Sequence, residues 1–209
     1  MTVTSPVQYQ VFQRNAATLG AGTATIAITG TCTGGPPNQL VEASFNGGAF
    51  QTIATAAGGS FSGSLTAQAA GQGTLTVRFR DATNVAATVT FVGIGEVVAE
   101  IGDSNADGRY GVAQTYTAPA SLPALRASHY QLGGPWSQLA DAGVGFGSIR
   151  PLLATLIAAD QLVPCAMMDR GVSGITFQPE WQKFDYATGA AGTYSQLQSM
   201  LSGAATGAN

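Results

Sequence analysis

The chain has 209 residues, of which 45% are hydrophobic and only 9% charged, and its formal net charge is -3. That length holds one large domain or two small ones, and the apolar share is enough for a core. Its few cations are scattered singly, with Lys183 the one lysine, so neither nucleic acid nor an anionic membrane surface is an expected partner.

The first twenty residues lack a charged segment followed by an apolar one, so no secretory signal peptide is read there. No run approaches the eighteen or so apolar residues of a membrane span. Synthesis in a cytoplasm is expected, with any exit by another route, such as release with a virion-like particle. From Tyr9 to Val92 the pattern is all-β. Tyr9–Arg14 and Thr23–Thr29 alternate apolar and polar residues, as half-buried strands do. Val41–Phe45 and Ala49–Ile53 flank Asn46-Gly47-Gly48, a hairpin signal. Ser60–Thr66, Leu75–Arg80 and Ala86–Phe91 follow at regular spacing, with a turn at Asp81–Asn84. About seven short strands predict an immunoglobulin- or fibronectin-like sandwich over residues 1–92. Its expected core is Val11, Ile26, Ile28, Phe45, Phe61, Leu65, Leu75, Val77, Phe79 and Val89.

At Gly93 the pattern changes. Glu96–Ile101 reads as a buried strand ending in Gly102-Asp103-Ser104-Asn105, and Tyr110–Pro135 as irregular. Ser148 is placed to cap a helix with Pro151 in its first turn and Leu152, Leu153, Leu156 and Ile157 on its apolar face. Leu162–Met168 is a second buried strand, Arg170–Thr176 a loop, and Tyr194–Leu201 a helix start. Strand, helix, strand, helix is the grammar of a parallel α/β sheet, expected over residues 93–209. Cys32 and Cys165 fall in different parts and read as free, buried thiols. His129 is the one histidine, which excludes a multi-histidine metal site, and no cofactor is implied.

Ligands of open parallel sheets sit beyond the carboxyl ends of the strands. Two loops occupy that place, Gly102–Asn105 and Gly171–Gly174. A serine at a strand-to-helix junction can expose its hydroxyl while its own amide faces an oxyanion, and a glycine nearby offers a second N–H. Ser104 also suits a plain helix cap, and Asp103 and Asn105 suit turn-shaping roles. Arg109 suits a substrate carboxylate or solvent. Trp136 and Trp181 suit either sugar stacking or packing. Asp169 and Asp185 have no carboxylate partner at a telling spacing, so a glycosidase is not supported.

Gly93–Asn105 resembles the first block of SGNH (GDSL-like) hydrolases, closest to the sialate O-acetylesterase-like branch. In that branch a small β-sandwich leads through a Gly-Glu-Val strand into a Gly-(Gln/Asp)-Ser-Asn turn. Arg170–Thr176 resembles the second block, and the Pro151 helix and the Val41–Thr52 and Gly71–Phe79 stretches also resemble that branch. The resemblance implies a flavodoxin-like α/β/α domain with a parallel sheet, of which this chain would hold the first part. It implies Ser104 as nucleophile and oxyanion donor, and Gly174 as second oxyanion donor. Asp103, Asn105, Arg109 and Trp181 are then substrate-contact candidates, and an O-acetylated carbohydrate the substrate. The family's third block and its Asp-x-x-His pair have no counterpart here, and His129 lies where the family keeps no catalytic histidine. Two parallel strands and two helices would leave apolar edges open, so either the natural polypeptide continues past Asn209, the favoured expectation, or a partner covers this edge. The alternative is a phage or phage-like appendage protein, whose sandwich attaches to the particle while the second part binds or deacetylates host polysaccharide. A homo-oligomer fits either reading.

Overall fold

The computed structural model describes residues 1–15, 19–33, 38–102, 108, 111–131, 134–141 and 147–171. Strands β1 (Thr2–Ser5), β2 (Val11–Gln13) and β3 (Thr23–Thr31) come first. Strands β4 (Leu40–Phe45), β5 (Gln51–Thr55), β6 (Ser60–Ala69), β7 (Gly71–Phe79) and β8 (Ala86–Gly102) follow. The remainder holds β9 (Ser128–Gln131), β10 (Ser137–Gln138), helix α1 (Arg150–Gln161) and β11 (Cys165–Gly171).

A three-stranded sheet, β1-β3-β6, lies against a larger mixed sheet ordered β10-β9-β11-β8-β7-β4-β5, in which β2 also pairs with β8. The core between the sheets follows from strand alternation. Leu75, Val77 and Phe79 of β7 are buried at every second position, and meet Ile26 and Ile28 of β3 and Phe61 and Leu65 of β6. Each such side chain contributes about 2 kcal/mol by leaving water. Phe45 joins this cluster as the sequence predicts, whereas Val89 is only half-buried against it and Val11 belongs to a second cluster. The Asn46-Gly47 hairpin forms as read: β4 and β5 pair antiparallel, and Asn46 and Gly47 take φ of 50° and 75°, the positive values such turns demand.

Strand β8 runs seventeen residues without a break, so the two predicted strands Ala86–Phe91 and Glu96–Ile101 are one. Its first part pairs antiparallel with β7, and its last part pairs parallel with β11. Gly93 and Gly95 lie where Pro164 crosses the strand; a Cβ on Gly95 would overlap the Pro164 carbonyl. Nearby, the buried Arg14 guanidinium meets Glu96 at 2.7 Å, tying the end of β2 to β8.

The expected flavodoxin-like α/β/α layer is corrected by this arrangement. Among the described residues strands predominate and α1 is the single helix. The parallel strands β8, β11 and β9 are not a separate sheet, but part of the mixed sheet that also holds β7, β4 and β5. Among the described residues a helix covers only one of their faces. On one face Cys165 and Met167 of β11 pack with Ala154, Leu153 and Ile157 of α1. On the other, Ala166 and Met168 pack with Val7, Tyr9 and Val11 of the N-terminal segment and with Tyr130 and Trp136. An irregular strap and an aromatic pair thus stand where a second helix layer was expected. The stretch expected to be irregular contains β9 and reaches the edge of β10, and the Tyr194–Leu201 helix lies outside the described residues.

Helix α1 also departs from its predicted face. Pro151, Ala154 and Ala158 are buried, while Leu152 and Leu156 are 50% and 67% exposed. Small residues let the helix lie close to β11, which turns the leucines outward. The cap position is Ile149, not Ser148; the Ser148 hydroxyl still accepts the Arg150 N–H at 3.3 Å and donates to Asp141 at 2.7 Å.

Cys32 and Cys165 are free and buried, as read from the sequence. Burial, reinforced by the charge of Glu96, pushes the Cys165 thiol up to about 12. In the native protein at pH 8, iodoacetamide is therefore expected to leave Cys165 unmodified for hours, and to alkylate it once denaturant is added. Peptide mass mapping reads the difference; native alkylation at Cys165 would contradict its burial. Among the described residues no helix is long and apolar enough to cross a membrane.

Candidate functional site: a buried charge cluster at the strand ends

Parallel register places Gly171 of β11 opposite Gly102 of β8, and Asp169 opposite Glu100. On the other side of β11, Met167 faces His129 of β9. Residues two apart on a strand share a face. Asp169, Glu100 and His129 therefore gather on the face covered by α1, whose first residue is Arg150.

The Arg150 guanidinium sits at the centre of this group. Its Nε donates to Glu100 Oε2 at 2.7 Å. Its Nη1 lies 3.1 Å from Asp169 Oδ2 and 3.3 Å from His129 Nε2. Asp169 and Arg150 are 3% and 7% exposed, so the attraction acts with little water to screen it. Burial raises the Glu100 carboxyl above its ordinary value, against the lowering pull of Arg150 and with a smaller upward push from Asp169. His129 Nε2 also stands 3.9 Å from Asp169 Oδ2, so the ring closes the cluster beside Arg150. Beside the cluster, Asp141 accepts the backbone N–H groups of Gln114 at 2.8 Å and Ser148 at 3.1 Å, anchoring the approach to α1.

The predicted site residues Asp103, Ser104, Asn105, Arg109, Gly174 and Trp181 lie outside the described residues. The roots of their loops do not: β8 ends at Gly102 and β11 at Gly171, as a register pair. Trp136 is a core residue, its ring 5.1 Å from that of Tyr130, and not a free stacking platform. His129, which lies where the resembled family keeps no catalytic histidine, is a strand residue inside the charge cluster. Asp169, read as lacking a carboxylate partner, shares Arg150 with Glu100. These two carboxylates are far apart in sequence, and only the parallel register brings them together. A usable signal was present: each acid follows a run of apolar residues in its strand, Val97-Val98-Ala99 before Glu100 and Ala166-Met167-Met168 before Asp169, and buried acids are rare unless paired. An open hollow between α1 and β8, lined by Glu96, Val98, Leu156 and Ile157, lies at the opposite end of the strands and carries no nucleophile. Among the described residues no group of three or more histidine, cysteine or acidic side chains is placed to hold a metal ion.

A carbohydrate acetylesterase from Xanthomonas citri aligns over 91% of this chain with a TM-score of 0.55, at 19% sequence identity. The chain spans 45% of that protein's length. No protein-family model matches the chain, and no curated protein does.

Proposed function

We propose that this chain carries the nucleophile-bearing part of a serine carbohydrate O-acetylesterase of SGNH type. The register pair Gly102–Gly171 is the observation that carries the reading. Ser104 follows the first of these by two residues and Gly174 follows the second by three. Adjacent strand ends stand about 4.8 Å apart. Loops leaving such roots are well placed for two amides to serve one oxyanion. The shared fold with a carbohydrate acetylesterase supports the same reading.

In this reading Ser104 Oγ attacks the acetyl carbonyl carbon and loses its proton to a general base. The amides of Ser104 and Gly174 hold the oxyanion. Collapse breaks the C–O bond to the sugar, whose oxygen takes the proton back, and water then releases acetate by the same route. Asp103, Asn105, Arg109 and Trp181 contact the sugar. In this reading His129 is not the base, since its Nε2 sits within the charge cluster, 3.3 Å from Arg150 Nη1. We place the base on polypeptide outside these 209 residues, in keeping with the greater length of the structural neighbour. Residues 1–92 act as an accessory or attachment part, and residues 93–209 as part of the hydrolase.

The test is covalent. The natural protein in its longest form is treated with a fluorophosphonate and mapped by peptide mass, while acetate release from an O-acetylated polysaccharide is followed. The expected result is one adduct, on Ser104, formed in step with loss of acetate release. Acetate release that persists without an adduct on Ser104 would overturn the assignment.

A further inference from the structure

We propose that Arg150 is a positioning residue: it pins the carboxyl ends of β8, β11 and β9 together and so sets the separation of the two loop roots, Gly102 and Gly171. Its partners Glu100, Asp169 and His129 come from three different strands, and each contact is 2.7 to 3.3 Å long. Glu100 and Asp169 stand two residues before those roots. Arg150 itself is held by three features. It opens helix α1 just before Pro151, its backbone N–H is accepted by Ser148, and Ser148 is bound by Asp141. The pin therefore connects the helix start to the strand ends through a rigid planar group. Only a guanidinium spreads several N–H donors over three strands in fixed directions; an ammonium delivers a point charge to one or two partners.

The kinetic consequence rests on the esterase reading, whereas the geometric one does not. A displacement of about 1 Å at a reacting group costs roughly 100-fold in rate. The experiment compares Arg150→Lys and Arg150→Gln with the natural full-length protein in two measurements. The first is kcat and KM on p-nitrophenyl acetate. The second is hydrogen exchange of peptides covering residues 97–102 and 165–171, with a β7 peptide (71–79) as internal reference. Both variants are expected to lose about 100-fold in kcat, with KM changed by less than about three-fold. Exchange is expected to speed up at the two strand ends and to stay unchanged in β7. Arg150→Lys retains the charge, so it remains a readable test if Arg150→Gln does not fold. Strand-end exchange equal to wild type in a folded variant would overturn the pin, as would exchange that rises equally in β7. A kcat within about three-fold of wild type in an active protein would overturn its kinetic consequence, that the pin sets the separation of the loop roots for catalysis. An inactive wild-type protein overturns the esterase reading instead, and the exchange comparison then decides the pin alone.

Discussion

Replacing Ser104 by alanine in the natural protein is expected to lower kcat on an acetyl ester by at least about 1,000-fold while the melting temperature moves by no more than a degree or two. The size follows from what is removed. In the proposed mechanism no acyl-enzyme forms without Oγ, and the remaining oxyanion donors would act only on direct attack by water. Loss of the nucleophile in comparable hydrolases is among the largest single-residue effects known, because the nucleophile and base act as a unit. Little stability is expected to be at stake, since the proposal gives the Ser104 hydroxyl a part in the chemistry and none in packing. Steady-state kinetics with a thermal melt of the same sample checks both halves. Activity within ten-fold of wild type would remove Ser104 from the chemistry, whatever the fold resembles.

The second large effect concerns a backbone crossing. Gly95→Ala is expected to destabilise the protein by at least about 3 kcal/mol, because the new methyl group meets a carbonyl and not a flexible side-chain tip. The Pro164 carbonyl accepts the Glu96 N–H at 2.9 Å, so neither chain can move away without breaking the first link between β8 and β11. For a chain of this size that loss corresponds to a fall in melting temperature of roughly 6–12 °C. A differential scanning calorimetry trace within 2 °C of wild type would show that the crossing has slack.

Much of the two-sheet part was legible because its strands alternate cleanly around the Asn46-Gly47 and Asp81–Asn84 turns. Ile26, Ile28, Phe61, Leu65, Leu75, Val77 and Phe79 could be assigned to one face from period two alone. The charge cluster was not legible. Glu100, His129 and Asp169 are tens of residues apart, and their meeting depends on which strand lies beside which. A parallel order β8-β11-β9 is not encoded in any local pattern. β9 escaped notice for a related reason: Ser128-His129-Tyr130-Gln131 is short, and gains its strand form from two neighbours. The outward turn of Leu152 and Leu156 was likewise unreadable, since periodicity marks which residues are apolar and not how closely Ala154 and Ala158 let the helix approach. Family resemblance supplied the roles of Ser104 and Gly174, but it also implied a second helix layer, where the molecule uses its own N-terminal segment against Ala166 and Met168.

Strand β8 enters two separate cores. Val92 and Ile94 belong to the sandwich interior, Val97 and Val98 pack on opposite faces beside β11, and Glu100 reaches the charge cluster. One uninterrupted ribbon of backbone thus supplies a central strand to each. Losing the sandwich would strip the parallel strands of their spine, and fraying at the charged end would be felt back toward β7. The two cores therefore draw on a common free energy of unfolding, and the rigidity of the loop roots at Gly102 and Gly171 is underwritten by hydrophobic packing at the far end of the same strand.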